Sequence, residues 1–197
     1  MDYFNNKTEG VEMKLKKKSK DQTKKIDPKK KKERRKTIVS IVIVALAVIM
    51  ILVATFVPFY HVEGDAMANT IKANDLVCVM KSKSIQKGDI VAFYYNNKIL
   101  VRRVIATGGE KVSIDQSGNV SVNGQKIKED YTSDQGDLTN RDIIYPYTVP
   151  DDQYFVLGDH RSRSVDSRVS ALGCIKKKDI IGKVVITLWP ITHLRIY

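Results

Sequence analysis

Asp89-Ile90-Val91-Ala92-Phe93-Tyr94-Tyr95-Asn96-Asn97-Lys98-Ile99-Leu100-Val101-Arg102-Arg103-Val104-Ile105-Ala106 decides the fold. Two apolar runs rich in branched and aromatic side chains stand on either side of Asn96-Asn97. Short runs of that composition, bounded by turn residues, are strand signals. The same grammar recurs outward in both directions. Leu76 to Met80 is one such run upstream. Downstream, Val112-Ser113-Ile114 and Val120-Ser121-Val122 flank Ser117-Gly118-Asn119, and Asn123-Gly124 turns the chain into Gln125-Lys126-Ile127. Asn-Gly is a strong hairpin signal because both central positions need positive φ. Gln153 to Leu157 and Ile180 to Ile186 complete the set, while the polar stretch from Glu129 to Arg141 reads as a loop or small lobe over the main sheet. No long segment of helical period follows residue 60, and internal repeats are absent. A curled antiparallel, mainly β domain is therefore expected over residues 61–197.

The segment before it obeys a different rule. Thr37 to Tyr60 holds 24 residues without a charge, about 36 Å as a helix against a hydrocarbon core of ~30 Å. It is apolar on every side, as a lipid-embedded helix must be, so a single transmembrane helix is expected over 37–60. Pro58 marks its expected end, and Phe59 and Tyr60 suit the aromatic belt at the membrane surface. A cleavable secretory signal would have a shorter apolar region and a small-residue cleavage site. Val57-Pro58-Phe59 is a poor site of that kind, which favours an uncleaved anchor.

The formal net charge of +12 is concentrated. Residues 1–36 hold fifteen Lys and Arg against six Asp and Glu, leaving only +3 for the rest. The basicity thus belongs to a lysine-rich lead expected to be disordered. No aromatic lies between Phe4 and Phe56, so the stacking half of a single-strand site is missing and nucleic acid is not an expected partner. Lys29 to Lys36 abuts the apolar span, whereas the other flank carries Glu63 and Asp65. The positive-inside rule places the tail in the cytoplasm and residues 61–197 outside, in a single-pass protein of the cell membrane. The basic run should also hug anionic membrane lipid. Cys78 and Cys174 could pair, but Leu76-Val77-Cys78-Val79 reads as a core strand, where a free cysteine is common. No metal-ligand spacing exists, and no cofactor is expected.

Three blocks carry chemistry. They are Val62-Glu63-Gly64-Asp65-Ala66-Met67-Ala68-Asn69-Thr70-Ile71, then Leu100-Val101-Arg102-Arg103-Val104-Ile105-Ala106-Thr107-Gly108-Gly109-Glu110, then Phe155 to Arg168. In that order, behind one anchor, the chain resembles the type I signal peptidases of Gram-positive bacteria, serine-lysine membrane peptidases. The resemblance covers about Lys36 to Pro190. It is most specific in Gly158-Asp159-His160-Arg161-Ser162-Arg163-Ser164-Val165-Asp166-Ser167-Arg168, which follows the family's G-D-N-R-x-x-S-x-D-S-R pattern with His160 the one departure. It implies that Ala66 stands at the nucleophile position and Arg102 at the general-base position, so serine and lysine are both missing. It further implies that Ser164 faces the residue at 102, that Asp166 and Arg168 form an ion pair at the site floor, and that Met67 lines the substrate pocket. Each has a plainer reading: a methionine beside a strand is often core, and the ion pair braces the fold with or without chemistry.

Serine hydrolysis of a peptide needs a base for the hydroxyl proton and donors for the oxyanion. Ala66 has no hydroxyl, and a guanidinium stays protonated in proteins. The backbone N–H of Ala66 does not depend on its side chain, so peptide binding without turnover is expected. By resemblance, the clients would be exported precursor proteins or their signal peptides, with pilin subunits among them, since dyad-less relatives are associated with pilus assembly. The alternative is an active signal peptidase in which positions 66 and 102 have been altered. Asn69, in place of the family's proline, and His160 drift in the same blocks, which favours natural divergence. Ser164 with His160 is an i, i+4 pair in an expected loop and makes a weak alternative dyad. Asp65 reads as a turn residue.

Overall fold

The structure, a computed structural model, describes residues 28–56, 58–132, 134 and 142–197. The lysine-rich lead over 1–27 and most of the expected lobe beyond Thr132 lie outside them. The described chain divides into two units, one ending at Val53 and one running from Ala54 to Tyr197.

The first holds all but the last three residues of helix α1, Pro28–Phe56. It takes in the basic run that was assigned to the tail and stops four residues short of Tyr60. Its candidate span, Lys31–Val53, contains an 18-residue window of mean hydropathy 2.8 and is long and apolar enough to cross a membrane. Ile38, Val39, Ile41, Val42, Ile43 and Val44 are β-branched, yet this stretch is helical and exposed on all sides. In water such side chains favour strands. Without water every backbone polar group must be satisfied within the segment, which only a helix does for a single span.

The second unit is mainly β, and its named strand pairings are antiparallel. The strands are β1 (Phe59–His61), β2 (Leu76–Met80), β3 (Ile90–Tyr95), β4 (Lys98–Thr107), β5 (Lys111–Ile114), β6 (Val120–Val122), β7 (Gln125–Lys126), β8 (Tyr147–Thr148), β9 (Gln153–Leu157), β10 (Ile175–Lys176), β11 (Ile180–Trp189) and β12 (Arg195–Ile196). The larger sheet runs β1-β2-β11-β3-β4-β9-β10, with β12 added to β11; the smaller runs β7-β6-β5-β8. Phe59 and Tyr60, expected in the aromatic belt, instead pair with Cys78 and Val77 as an edge strand. Pro58 cannot extend a helix, but its carbonyl accepts from Val79 at 3.1 Å, so the chain enters the sheet at once.

Burial explains why β3 and β9 read as unbroken apolar runs. Ile90 and Ala92 join one core cluster with Val62, Met67 and Val101, whereas Val91 and Phe93 join another with Val104 and Val156. A strand covered on both faces needs no polar alternation. In β4 the register against β9 shifts between Val104 and Ala106. That irregularity lets consecutive Ile105 and Ala106 both enter the third cluster, between the sheets, with Val112, Val122 and Phe155. The Asn123-Gly124 turn forms as expected, both residues having positive φ.

Candidate active site

Two neighbouring residues of β4 face opposite ways, as strand geometry requires. Arg102 is 6% exposed. Its Nε donates to the Val165 carbonyl at 2.9 Å and its Nη1 to the Val101 carbonyl at 2.6 Å. Arg103 instead pairs with Asp159 at 2.6 Å, donates to the Gly88 carbonyl at 2.9 Å, and lies 4.1 Å from the ring centre of Tyr131. Thr70 also donates to Asp159.

Ala66 sits in the tight turn after β1, where the Asp65 carbonyl accepts from Ala68 at 3.0 Å and the Met67 carbonyl from Thr70 at 2.8 Å. The Ala66 carbonyl accepts from the N–H of His160 at 3.0 Å, which ties the first block to the third. Gly158 makes that approach possible. A Cβ there would collide with the Ser164 side chain and come within 2.6 Å of the Ala66 oxygen. So Ala66, Gly158 and Ser164 meet at one point, and Arg102 reaches the residue after Ser164.

The ion pair implied for the site floor forms. Arg168 and Asp166 lie 2.7 Å apart, and both are buried. Asp166 also accepts from the N–H of Gly158 at 3.0 Å, and Arg168 donates to the Arg161 carbonyl at 2.6 Å. Arg161 pairs with Glu129 and donates to the Gly158 carbonyl at 3.0 Å. The brace therefore holds the backbone of the third block at several points.

Other expectations change. The hydrogen bond between Ser164 and the side chain at 102 is not made: Ser164 Oγ is buried with no partner in the structure. The longer, forked guanidinium reaches past it to the Val165 carbonyl. His160 Nδ1 is also buried and unpartnered, so His160 and Ser164 do not form a dyad. Met67 is 1% exposed and belongs to the core cluster of Val62 and Ile71. Asp65 is, as expected, an exposed turn residue, and it pairs with Arg163 at 3.2 Å. Both cysteines are free. Burial pushes the Cys174 thiol up to about 11 and raises that of Cys78, so neither supplies a thiolate near neutrality.

Sequence reading missed the Arg103–Asp159 and Arg161–Glu129 pairs. Asp159 and Arg161 were visible inside the third block, but nothing in their spacing named partners 56 and 32 residues away.

The electrostatics at Arg102 follow from its surroundings. Burial pushes its pKa down to about 10, Asp166 opposes the fall, and Arg168 adds to it. It remains a cation at neutral pH.

One helix of membrane length, a curled antiparallel β domain and a buried Asp–Arg brace beside the 66 and 102 positions define a class: proteins built on a serine-lysine membrane peptidase frame. The family model for signal peptidase, peptidase S26, matches residues 34–189. Signal peptidase I P of Bacillus subtilis subsp. natto is 32% identical over 161 residues, covering 75% of this chain and 86% of the relative. Signal peptidase IB of Staphylococcus aureus is 34% identical over 168 residues, covering 75% and 86%. A solved signal peptidase I from Enterococcus faecalis is 30% identical, covering 53% of this chain and 100% of that one, with a TM-score of 0.43. The chain belongs to the signal peptidase family.

Proposed function

We propose that this chain is a non-hydrolysing member of its family, a membrane-anchored protein that docks exported precursors or their signal peptides, pilin subunits among them. The observation that carries the reading is the pair at 66 and 102: a methyl group where a nucleophile is required, and a protonated guanidinium where a neutral amine is required. Ala66 and Arg102 are thus the vacated nucleophile and base positions. Ser164, Asp166 and Arg168 support them, and Met67 backs the first block from the core. The Ala66 N–H has no partner among the described residues, which suits a peptide carbonyl. Helix α1 holds the domain at the membrane, with the basic lead on the cytoplasmic side and against anionic lipid. The test is purified protein in lipid with a signal-bearing precursor: binding without cleavage is expected. Cleavage that survives alanine at Ser162, Ser164 and Ser167 would overturn the reading.

The intact brace favours a second reading, an active peptidase altered at two positions. Robust turnover by the natural chromosomal sequence, should it carry serine at 66 and lysine at 102, would establish that.

A further inference from the structure

We infer that the vacated site is a receptor for a carboxylate, the free C-terminal end of an extended peptide, rather than for an uncut peptide bond. The inference rests on the peptide-docking reading and sharpens it. Three buried or nearly buried ion pairs surround the site: Arg103 with Asp159, Arg161 with Glu129, and Arg168 with Asp166. Arg102 is the fourth guanidinium and, among the described residues, has no carboxylate partner. Two carbonyls occupy Nε and Nη1, and Nη2 donates to nothing described. Asp166 acts on Arg102 only through space and already pairs with Arg168. A buried cation with no anion in contact is costly, so the group calls for a further counter-charge from outside.

Two more donors point the same way. Ser164 Oγ is buried and unpartnered, and the N–H of Ala66 has no acceptor among the described residues. These three donors belong to one neighbourhood, because Ala66 and Ser164 crowd the same face of Gly158 and Arg102 holds the carbonyl next to Ser164. The Ala66 carbonyl at this point already accepts from His160, so what the neighbourhood leaves unused is two N–H donors and a hydroxyl free to donate, a set that fits a ligand that only accepts. A carboxylate does so with two oxygens and complements a guanidinium in both charge and plane. Ala66 adds room where a hydroxyl would stand. A peptide with such an end is what an endopeptidase leaves behind, so the ligand would be supplied by a cleavage reaction carried out elsewhere.

The experiment compares one extended apolar peptide ending in alanine, as free acid and as carboxamide, by fluorescence anisotropy with the full chain in lipid nanodiscs. The free acid should bind at least tenfold more tightly. Arg102→Met should abolish that preference, so that acid and amide bind alike whatever their common affinity, and Ser164→Ala should shrink it a few-fold. A thermal melt of each variant checks that it is folded, and the comparison on the unmodified protein stands whether or not they fold. Equal affinity for acid and amide would overturn the carboxylate site and leave peptide docking standing. Failure of both peptides to bind would overturn the docking reading and this one together.

Discussion

Arg102 costs the folded state stability, and the sign follows from its depressed pKa. A base that titrates near 10 when folded, well below its ordinary value in the unfolded chain, is penalised wherever it is protonated. The penalty is present in full below about pH 10. It is relieved only as pH rises above that, toward the ordinary guanidinium range. Between pH 6 and 9 nothing at this residue titrates, so no neutral base emerges, and precursor cleavage should stay absent throughout that range. Arg102→Met removes a buried charge but leaves the Val165 carbonyl without its donor. The net gain should be about 1 kcal/mol, seen as a higher urea midpoint. Asp166→Asn acts in the opposite direction. It strips the carboxylate from Arg168 and from the field that favours Arg102, and should cost about 3–5 kcal/mol in the same assay. Ala66→Ser alone should recover no cleavage, because the fixed cation remains. Ala66→Ser with Arg102→Lys should recover some, since the burial that lowers the arginine would bring a lysine, ordinarily ~10.4, down toward neutrality. A mass-spectrometric assay for the cut precursor reads the difference, and equal recovery by both variants would sink the role given to Arg102.

At the scale of elements, β2, β6 and β9 were legible to the residue, because short apolar or alternating runs between turn residues leave little choice of state. So was the Asn123-Gly124 turn. β1, β8, β10 and β12 were not. Each has two or three residues without the apolar-polar alternation that marks the equally short β6, and each exists because a neighbouring edge accepts it. The end of α1 was misplaced for a related reason: Phe59 and Tyr60 are uncharged like the span before them, and it is pairing with β2 that makes them strand. Two of the site's landmarks, Ala66 and Arg102, stood out as substitutions in otherwise recognisable blocks. The pairing of Arg161 with Glu129 depended on loop geometry that sequence spacing does not encode. The boundary has a measurable consequence. A fragment beginning at Pro58 should be soluble, mainly β by far-ultraviolet circular dichroism, and melt several degrees above one beginning at Val62. The shorter one leaves the edge of β2 unpaired and removes the Pro58 carbonyl that Val79 uses. Equal melting temperatures would make β1 a passive strand. Gly158→Ala tests the meeting of the first and third blocks. A methyl there overlaps the Ser164 side chain and presses on the Ala66 carbonyl, so a loss of about 1–3 kcal/mol and of peptide binding is expected.

For the molecule as a whole, charge and apolarity are segregated along the chain rather than over a surface. Nine of the twelve net positive charges lie in residues 1–36, directly before the apolar part of α1, and the flank after it carries Glu63 and Asp65. Lysine and arginine near the end of a span resist transfer across a membrane, which sets orientation through the flanking basic residues rather than through net charge. The lysine-rich lead should therefore stay in the cytoplasm and the β unit should face outward. In that placement the unit is exposed to protease added to intact protoplasts. Digestion should remove epitopes after His61 while an epitope near the N-terminus remains on a fragment of anchor size. Permeabilised cells should lose both. The reverse pattern, a protected β unit and a digested lead, would overturn the orientation. It would also remove the physical basis for docking exported clients, because the site formed by the 66, 102 and 164 blocks would then face the compartment those clients leave. Neutralising Lys29 to Lys32 and Arg34 to Lys36 together should weaken the bias and yield a mixed population, which separates the charge argument from any effect of the β unit's own folding.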